Sequence, residues 1–272
     1  MQWIDRVVFG FVFFVVGGLS GCLYAFPLTS DSNSDSETET QTESDTQSNK
    51  DTAGTDTADT KCSDEDGAPS VPRSCFEILT CDPAAMDGEF EIDPDGAGGA
   101  APFTVTCDLS GGGWTLIYTE DFTAGDSSGW KGAAGVPTPV DTTSSCKTAY
   151  GEMLGGYDIL GGAGAFTAQA FSLRGIPHTE VFVGLDYVVM DTWDAERALV
   201  YVDNIERYSV VFDDADAIEN ACGGSRPDIG PQPVAIQTDH VAATVTVRVT
   251  STLDSNALDE SFGVDNVVLR IR

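Results

Sequence analysis

Asp191, Asp194 and Glu196 stand within six residues of one another in the run Asp-Thr-Trp-Asp-Ala-Glu, and Asp265 is followed at once by Asn266. Carboxylate and amide oxygens in such groups are what a calcium ion takes, six to eight ligands at a time. Asp121, next to Glu120, joins them if the strand it ends lies beside the strand that Asp265 begins, as first and last strands do in a jelly roll. Some of Asp121, Asp191, Asp194, Glu196, Asp265 and Asn266 are therefore expected to hold Ca2+. The plainer reading is solvated loop acids, with Asn266 bonding within its own turn.

Covalent catalysis finds little support. Residues 125–129, Gly-Asp-Ser-Ser-Gly, match G-x-S-x-G as a string. A nucleophile elbow needs a strand before the serine and a helix after it, and Trp130-Lys131-Gly132 opens no helix, so a turn is expected. His178 and His240, the chain's two histidines, read as surface residues. Metalloprotease, phosphate-loop and dinucleotide motifs are missing from the sequence. Carboxylate pairs able to hydrolyse glycosides exist in abundance, which singles out none of them. No catalytic residue is assigned.

The chain has seven cysteines. With Cys22 set aside, Cys62, Cys75, Cys81, Cys107, Cys146 and Cys222 form an even set downstream of an apolar leader, the pattern of disulfides in an oxidising compartment. Spacing alone leaves their pairing open. Thiol metal sites are disfavoured because no C-x-x-C occurs. A formal charge of -31 on 272 residues argues against nucleic-acid binding, which needs clustered Lys and Arg against phosphate, and against docking on anionic lipid.

The elements that must position these residues are strands. Val181, Val183, Leu185, Tyr187 and Val189 alternate along one segment, Val245, Val247 and Val249 along another, and Val267, Leu269 and Ile271 along a third. Segments 199–202 and 208–212 flank an Asp203-Asn204 turn. Helical periodicity is nearly absent, with one helical turn expected over 149–154. Repeated short strands with Gly-rich connections point to an antiparallel jelly-roll-type β-sandwich over 119–272. Trp130, Trp193 and Tyr187 are either core residues or stacking surfaces for sugars.

Ahead of this, residues 27–60 are almost entirely Ser, Thr, Asp, Glu, Gln and Asn and cannot bury enough apolar surface to offset ordering, so a disordered acidic spacer is expected over 22–61. Residues 1–21 contain a basic Arg6, an apolar run and small residues, the order of an export signal. The run over 7–21 is 15 residues, short of the roughly 20 that a spanning helix needs.

Three resemblances add to this. Leu19-Ser20-Gly21-Cys22 resembles the lipobox of bacterial lipoproteins, which implies cleavage before Cys22 and lipid on its thiol. Leu23 in place of Asp implies the outer membrane. Residues 74–118 (SCFEIL, DGEFEIDPDG, PFTVTCDLSGGGWTLIY) resemble the opening subdomain of fibrinogen-like domains, which implies a Cys75–Cys107 disulfide in a small hairpin module at 62–118. That family's calcium loop and ligand pocket have no counterpart after Tyr118. Residues 119–272 are loosely similar to MAM-like and carbohydrate-binding jelly rolls, through Phe122, Gly129-Trp130 and the closing Phe-Gly-Val-Asp-Asn-Val. The whole is expected to be an all-β, lipid-anchored envelope protein, not an enzyme, whose calcium-supported head binds an extracellular glycan or protein. A secreted hydrolase and a purely structural envelope protein are the alternatives.

Overall fold

The computed structural model describes residues 62–63, 69–141 and 144–272. Cys22, the leader and the acidic spacer lie outside the described residues.

The chain opens with the short pair β1 (Cys62–Ser63) and β2 (Pro69–Ser70), then α1 (Cys75–Cys81), β3 (Gly88–Ile92), β4 (Phe103–Asp108) and β5 (Trp114–Glu120). It continues through β6 (Val140–Asp141), α2 (Ser144–Tyr150), β7 (Met153–Gly155), β8 (Phe166–Ser172), β9 (Glu180–Asp191) and β10 (Asp194–Val202). The last strands are β11 (Ile205–Asp213), β12 (Gly230–Asp239), β13 (Thr244–Ser251) and β14 (Glu260–Ile271). They build a four-stranded sheet, β11-β10-β13-β8, and an eight-stranded sheet whose main path is β12-β9-β14-β5-β4-β3. Every strand pair is antiparallel. The chain is thus an antiparallel β-sandwich.

The alternating apolar residues face one another across the two sheets. Val181, Val183 and Leu185 of the large sheet and Val245, Val247 and Val249 of the small one are buried in a single core, plugged by Trp130, Trp193, Tyr187 and Phe122 at 0% exposure. Burial of this kind stabilises by roughly 25 cal/mol per Å² of apolar surface removed from water. Trp130 and Trp193 therefore offer no face to a ligand. Their polar atoms are used inward: Trp130 Nε1 donates to Tyr118 Oη at 3.2 Å and Trp193 Nε1 to the Ser261 carbonyl at 3.1 Å. Tyr187 likewise donates to the Thr250 carbonyl at 3.0 Å.

β9 is apolar on both faces near its end for a separate reason. Val188 and Met190 point away from the main core into a second cluster with Cys146, Met153 and Cys222, covered by Tyr150 and Tyr157. The Cys146–Cys222 disulfide clamps the excursions that build this cover. Cys62–Cys81 and Cys75–Cys107 brace the other end of the chain.

β5 crosses residue 118 and pairs with both β4 and β14, so segments 62–118 and 119–272 share one sheet. Helix is found where the sequence pattern showed none. α1 starts at an extended Ser74 whose hydroxyl accepts from the Glu77 amide at 3.2 Å, the N-cap of an S-x-x-E signature too short to show periodicity. The turn expected over 149–154 is the end of α2 followed by β7, with Gly151 at φ 88° between them. Gly113, at φ 82°, brings the chain against α1 so closely that a Cβ there would lie 2.8 Å from Phe76 Cα.

Candidate functional site

β9 belongs to the large sheet and β10 to the small one, so the chain changes sheets at Thr192-Trp193, with Trp193 driven into the core. On β10, Ala198, Val200 and Val202 face inward. Period-two alternation puts Glu196 on that same side. On β14, Phe262 and Val264 are core residues, and Glu260 shares their parity. Two glutamates therefore enter the end of the interlayer space, one from each sheet, 8% and 3% exposed. Carboxylate oxygens of Asp194, Glu196 and Glu260 all lie within 4.8 Å of one another. Glu196 accepts from the Asp194 amide, and Glu260 Oε2 from the Ser255 amide at 3.1 Å. Among the described residues no Lys, Arg or His pairs with either glutamate. Burial, reinforced by the Asp194 carboxylate, pushes Glu196 up to about 7. Burial also raises Glu260, with Asp254 and Asp194 adding repulsion.

The expected calcium set does not converge on one point. Asp194 and Glu196 stay together and gain Glu260, which the sequence reading missed; its signal is inward parity with Phe262 on the last strand. Asp191 turns to the opposite face. Its carboxylate takes the Gly224 amide at 3.1 and 3.2 Å, while its own amide donates to Asp228 Oδ1 at 3.0 Å. Burial raises Asp191 to about 6. Asp228, fully buried, also accepts the Ala221 and Cys222 amides at 2.8 Å, a structural acid holding the disulfide loop.

Asp265 and Asn266 sit five and six residues beyond Glu260 on β14, about 17–20 Å along the strand. They mark a bulge: register shifts between Asp265 and Val268, and Asn266 adopts φ 50°. The extra residue reverses the parity, so that Val264 before it and Val267, Leu269 and Ile271 after it all face the core. Asn266 Nδ2 donates to Asp186 Oδ2 at 2.8 Å. Burial lifts Asp265 to about 6, and Asp186, Asp121 and Glu120 add to the rise. Asp121 itself is held low by the Thr123 hydroxyl and amide, in an exposed turn.

The outward face of the four-stranded sheet carries a different chemistry. Tyr201 lies opposite Arg248, and Thr250 opposite both Leu199 and Phe166. The Arg248 guanidinium lies 4.3 Å above the Phe166 ring and 5.9 Å from the Tyr201 ring. Beside them Arg197 donates to Glu206 Oε1 at 2.9 Å and to Ser209, and Tyr201 Oη donates to Glu206 Oε2 at 3.3 Å. Half-buried aromatic rings thus stand among guanidinium, carboxylate and hydroxyl groups on a sheet surface. None of Phe166, Tyr201 or Arg248 stood out in the sequence, because each occupies the polar parity of an ordinary alternating strand.

The G-x-S-x-G string is a turn: Asp126 Oδ1 accepts from the Ser128 amide at 2.8 Å and from its hydroxyl. The two histidines are not independent surface residues. His178 Nε2 meets His240 Nδ1 at 2.9 Å, and His240 is 8% exposed.

Fold and site together define a disulfide-braced antiparallel β-sandwich with an acidic cluster between its sheets at one end and an aromatic-arginine face outside. No family model matches the sequence. No curated protein matches it either. Solved structures similar to it include the CBM22-1 xylan-binding domain of Paenibacillus barcinonensis Xyn10C, at 15% identity and TM-score 0.34, over 57% of this chain and 94% of that one. TmCBM61 in complex with beta-1,4-galactotriose aligns at 16% identity and TM-score 0.36, over 56% and 95%. The K3 adhesin domain of Lys-gingipain from Porphyromonas gingivalis aligns at 14% identity and TM-score 0.35, over 57% and 98%.

Proposed function

We propose that this chain is a lipid-anchored cell-envelope protein whose sandwich binds an extracellular glycan on the outward face of the four-stranded sheet, with Ca2+ holding the sandwich closed at Asp194, Glu196 and Glu260. The observation that carries the glycan reading is the Phe166, Tyr201 and Arg248 arrangement. Sugar rings present C–H faces that pack on aromatic rings and hydroxyls that pair with charged groups. This face supplies both, already ordered by the guanidinium stacked on Phe166. The four strands also make it rigid, which reduces the ordering cost of binding.

Calcium is supported by the chemistry of the buried pair. Two desolvated glutamates from opposite sheets repel one another unless a proton or a cation lies between them. Three carboxylates within 4.8 Å supply the hard oxygen donors that Ca2+ takes. The anchor rests on Cys22 and the residues before it. Diacyl chains at about 0.8 kcal/mol per buried methylene hold such a protein to a bilayer, and the leader's likeness to lipoproteins favours the outer membrane. The likeness of 74–118 to fibrinogen-like domains makes that segment a structural module.

A glycan array probed with the full mature chain in millimolar Ca2+ tests the function. The expected result is retention on a subset of glycans that Arg248→Ala abolishes while its melting temperature stays within a few degrees of wild type. Retention on no glycan, together with turnover of hydrolase substrates, overturns it in favour of an enzyme.

A further inference from the structure

Arg248 lacks the partner that other arginines of this molecule have. The chain carries 44 Asp and Glu against 13 Lys and Arg, so a carboxylate is the default neighbour of any cation in it. Arg197, on the adjacent strand, pairs with Glu206 at 2.9 Å, and Arg270 and Arg272 pair with Asp108 and Glu180. Among the described residues no carboxylate pairs with Arg248, and its buried Nε meets no acceptor. Its contacts are aromatic instead, Phe166 at 4.3 Å and Tyr201 at 5.9 Å from the ring centres. Stacking engages the flat face of a guanidinium and leaves the N–H donors, which lie in its plane, available at the edge.

The charges around it can be summed. Arg248 lies opposite Tyr201, and Tyr201 lies opposite Glu206, so one row crosses β13, β10 and β11. Glu206 is taken by Arg197 and by the Tyr201 hydroxyl. Two guanidiniums against one carboxylate leave one positive charge uncompensated on this face. Charges elsewhere on the acidic chain are screened beyond roughly 8 Å at physiological ionic strength, so the local balance decides what docks. An apolar cavity of about 290 Å³ beside His178, lined by Leu173, Ile176, Pro177 and Val241, has no Lys or Arg in its walls. It offers an anion nothing comparable.

We propose, resting on the glycan reading above, that the glycan of this face is an acidic one and that Arg248 pairs with the carboxylate of a uronic acid residue. A carboxylate is planar and matches the guanidinium fork with two parallel N–H···O bonds. In a uronic acid the carboxylate is bonded directly to the sugar ring, so the charge and the C–H face arrive side by side. Arg248 and Tyr201 stand side by side in the same way, opposite one another in the ladder. The guanidinium takes the carboxylate and the phenol ring takes the C–H face. A neutral sugar fills only half of this site.

The test is calorimetric titration of the full mature chain with short galacturonate, glucuronate and mannuronate oligomers, each beside its carboxyl-reduced neutral counterpart at one calcium concentration. At least one uronate series is expected to bind about ten- to a hundredfold more tightly than its reduced form, the range for a hydrogen bond to a charged group. Arg248→Gln is expected to erase that preference, and Arg248→Lys, which keeps the charge without the fork, to restore only part of it. Equal affinity of the wild type for acidic and reduced oligomers overturns the proposal while leaving the glycan reading in place, and that result needs no variant to fold. A uronate preference that survives Arg248→Gln, or sulfated neutral oligomers binding as tightly as uronates, also overturns it. Binding of no oligomer, acidic or neutral, overturns the proposal and the glycan reading together.

Discussion

Glu196 and Glu260 reach toward each other from opposite sheets, with carboxylate oxygens inside 4.8 Å, at a place where strand alternation would put apolar side chains. Without a cation, burial raises both above their ordinary range, Glu196 to about 7. The folded state then binds more protons than the unfolded one between the usual glutamate range and the raised value near 7 of Glu196. Stability of the calcium-free protein is therefore expected to fall as pH rises through that window. Calcium holds the ionised forms and is expected to remove the decline, raising the melting temperature above pH 7. At a hundredfold excess over Kd the gain is about 2.7 kcal/mol, roughly 5–10 °C for a domain of this size. Melting curves at pH 5 and pH 8, with calcium or chelator, check this, and Glu260→Gln is expected to abolish the calcium effect.

On the outward face, Tyr201→Ala is expected to weaken glycan binding about tenfold, near the 1–1.5 kcal/mol of an aromatic contact. Its effect on stability should stay small, because the ring is on the solvent side of β10. Affinity and melting temperature measured on the same variant separate the two.

Much of this architecture is legible in the sequence, and the exceptions have physical causes. The alternation of Val181 to Val189 and of Val245 to Val249 marks inward faces directly, because one side of each strand is buried. The Asp203-Asn204 turn is as plain: both residues have positive φ, 50° and 65°, and close a two-residue hairpin. Asp265 and Asn266 stood out as ligands, whereas their evident work in the fold is a bulge that reverses parity. Glu260 was hidden because its meaning depends on facing Glu196 across the sandwich. The sequence separation of 64 residues carries no trace of that meeting. His178 and His240 are hidden likewise: only the return of β12 beside β9 brings them together.

The Cys146–Cys222 disulfide closes a loop of 76 residues. In the chain-entropy model it stabilises by about 4.5 kcal/mol. The double variant Cys146→Ser, Cys222→Ser is expected to melt roughly 10 °C lower, and to expose the Val188 and Met190 face to hydrophobic dyes. Thermal scans of wild type with and without reductant provide the parallel measurement.

Asp228 is the acid whose loss should matter most to this region. Asp228→Ala leaves the amides of Asp191, Ala221 and Cys222 without their acceptor in a buried site. Each orphaned donor costs about 1–3 kcal/mol, so a loss of about 3 kcal/mol or more is expected by chemical denaturation. An exposed control, Asp126→Ala, should change stability by less than about 0.5 kcal/mol.

Chemical-shift mapping with a glycan retained on the array addresses the binding face most directly. The largest changes are expected at Phe166, Leu199, Tyr201 and Arg248, with the acidic end of the sandwich unmoved once calcium is present. Changes gathered instead around the cavity beside His178, or spread over loops without reaching Tyr201 and Arg248, would contradict it.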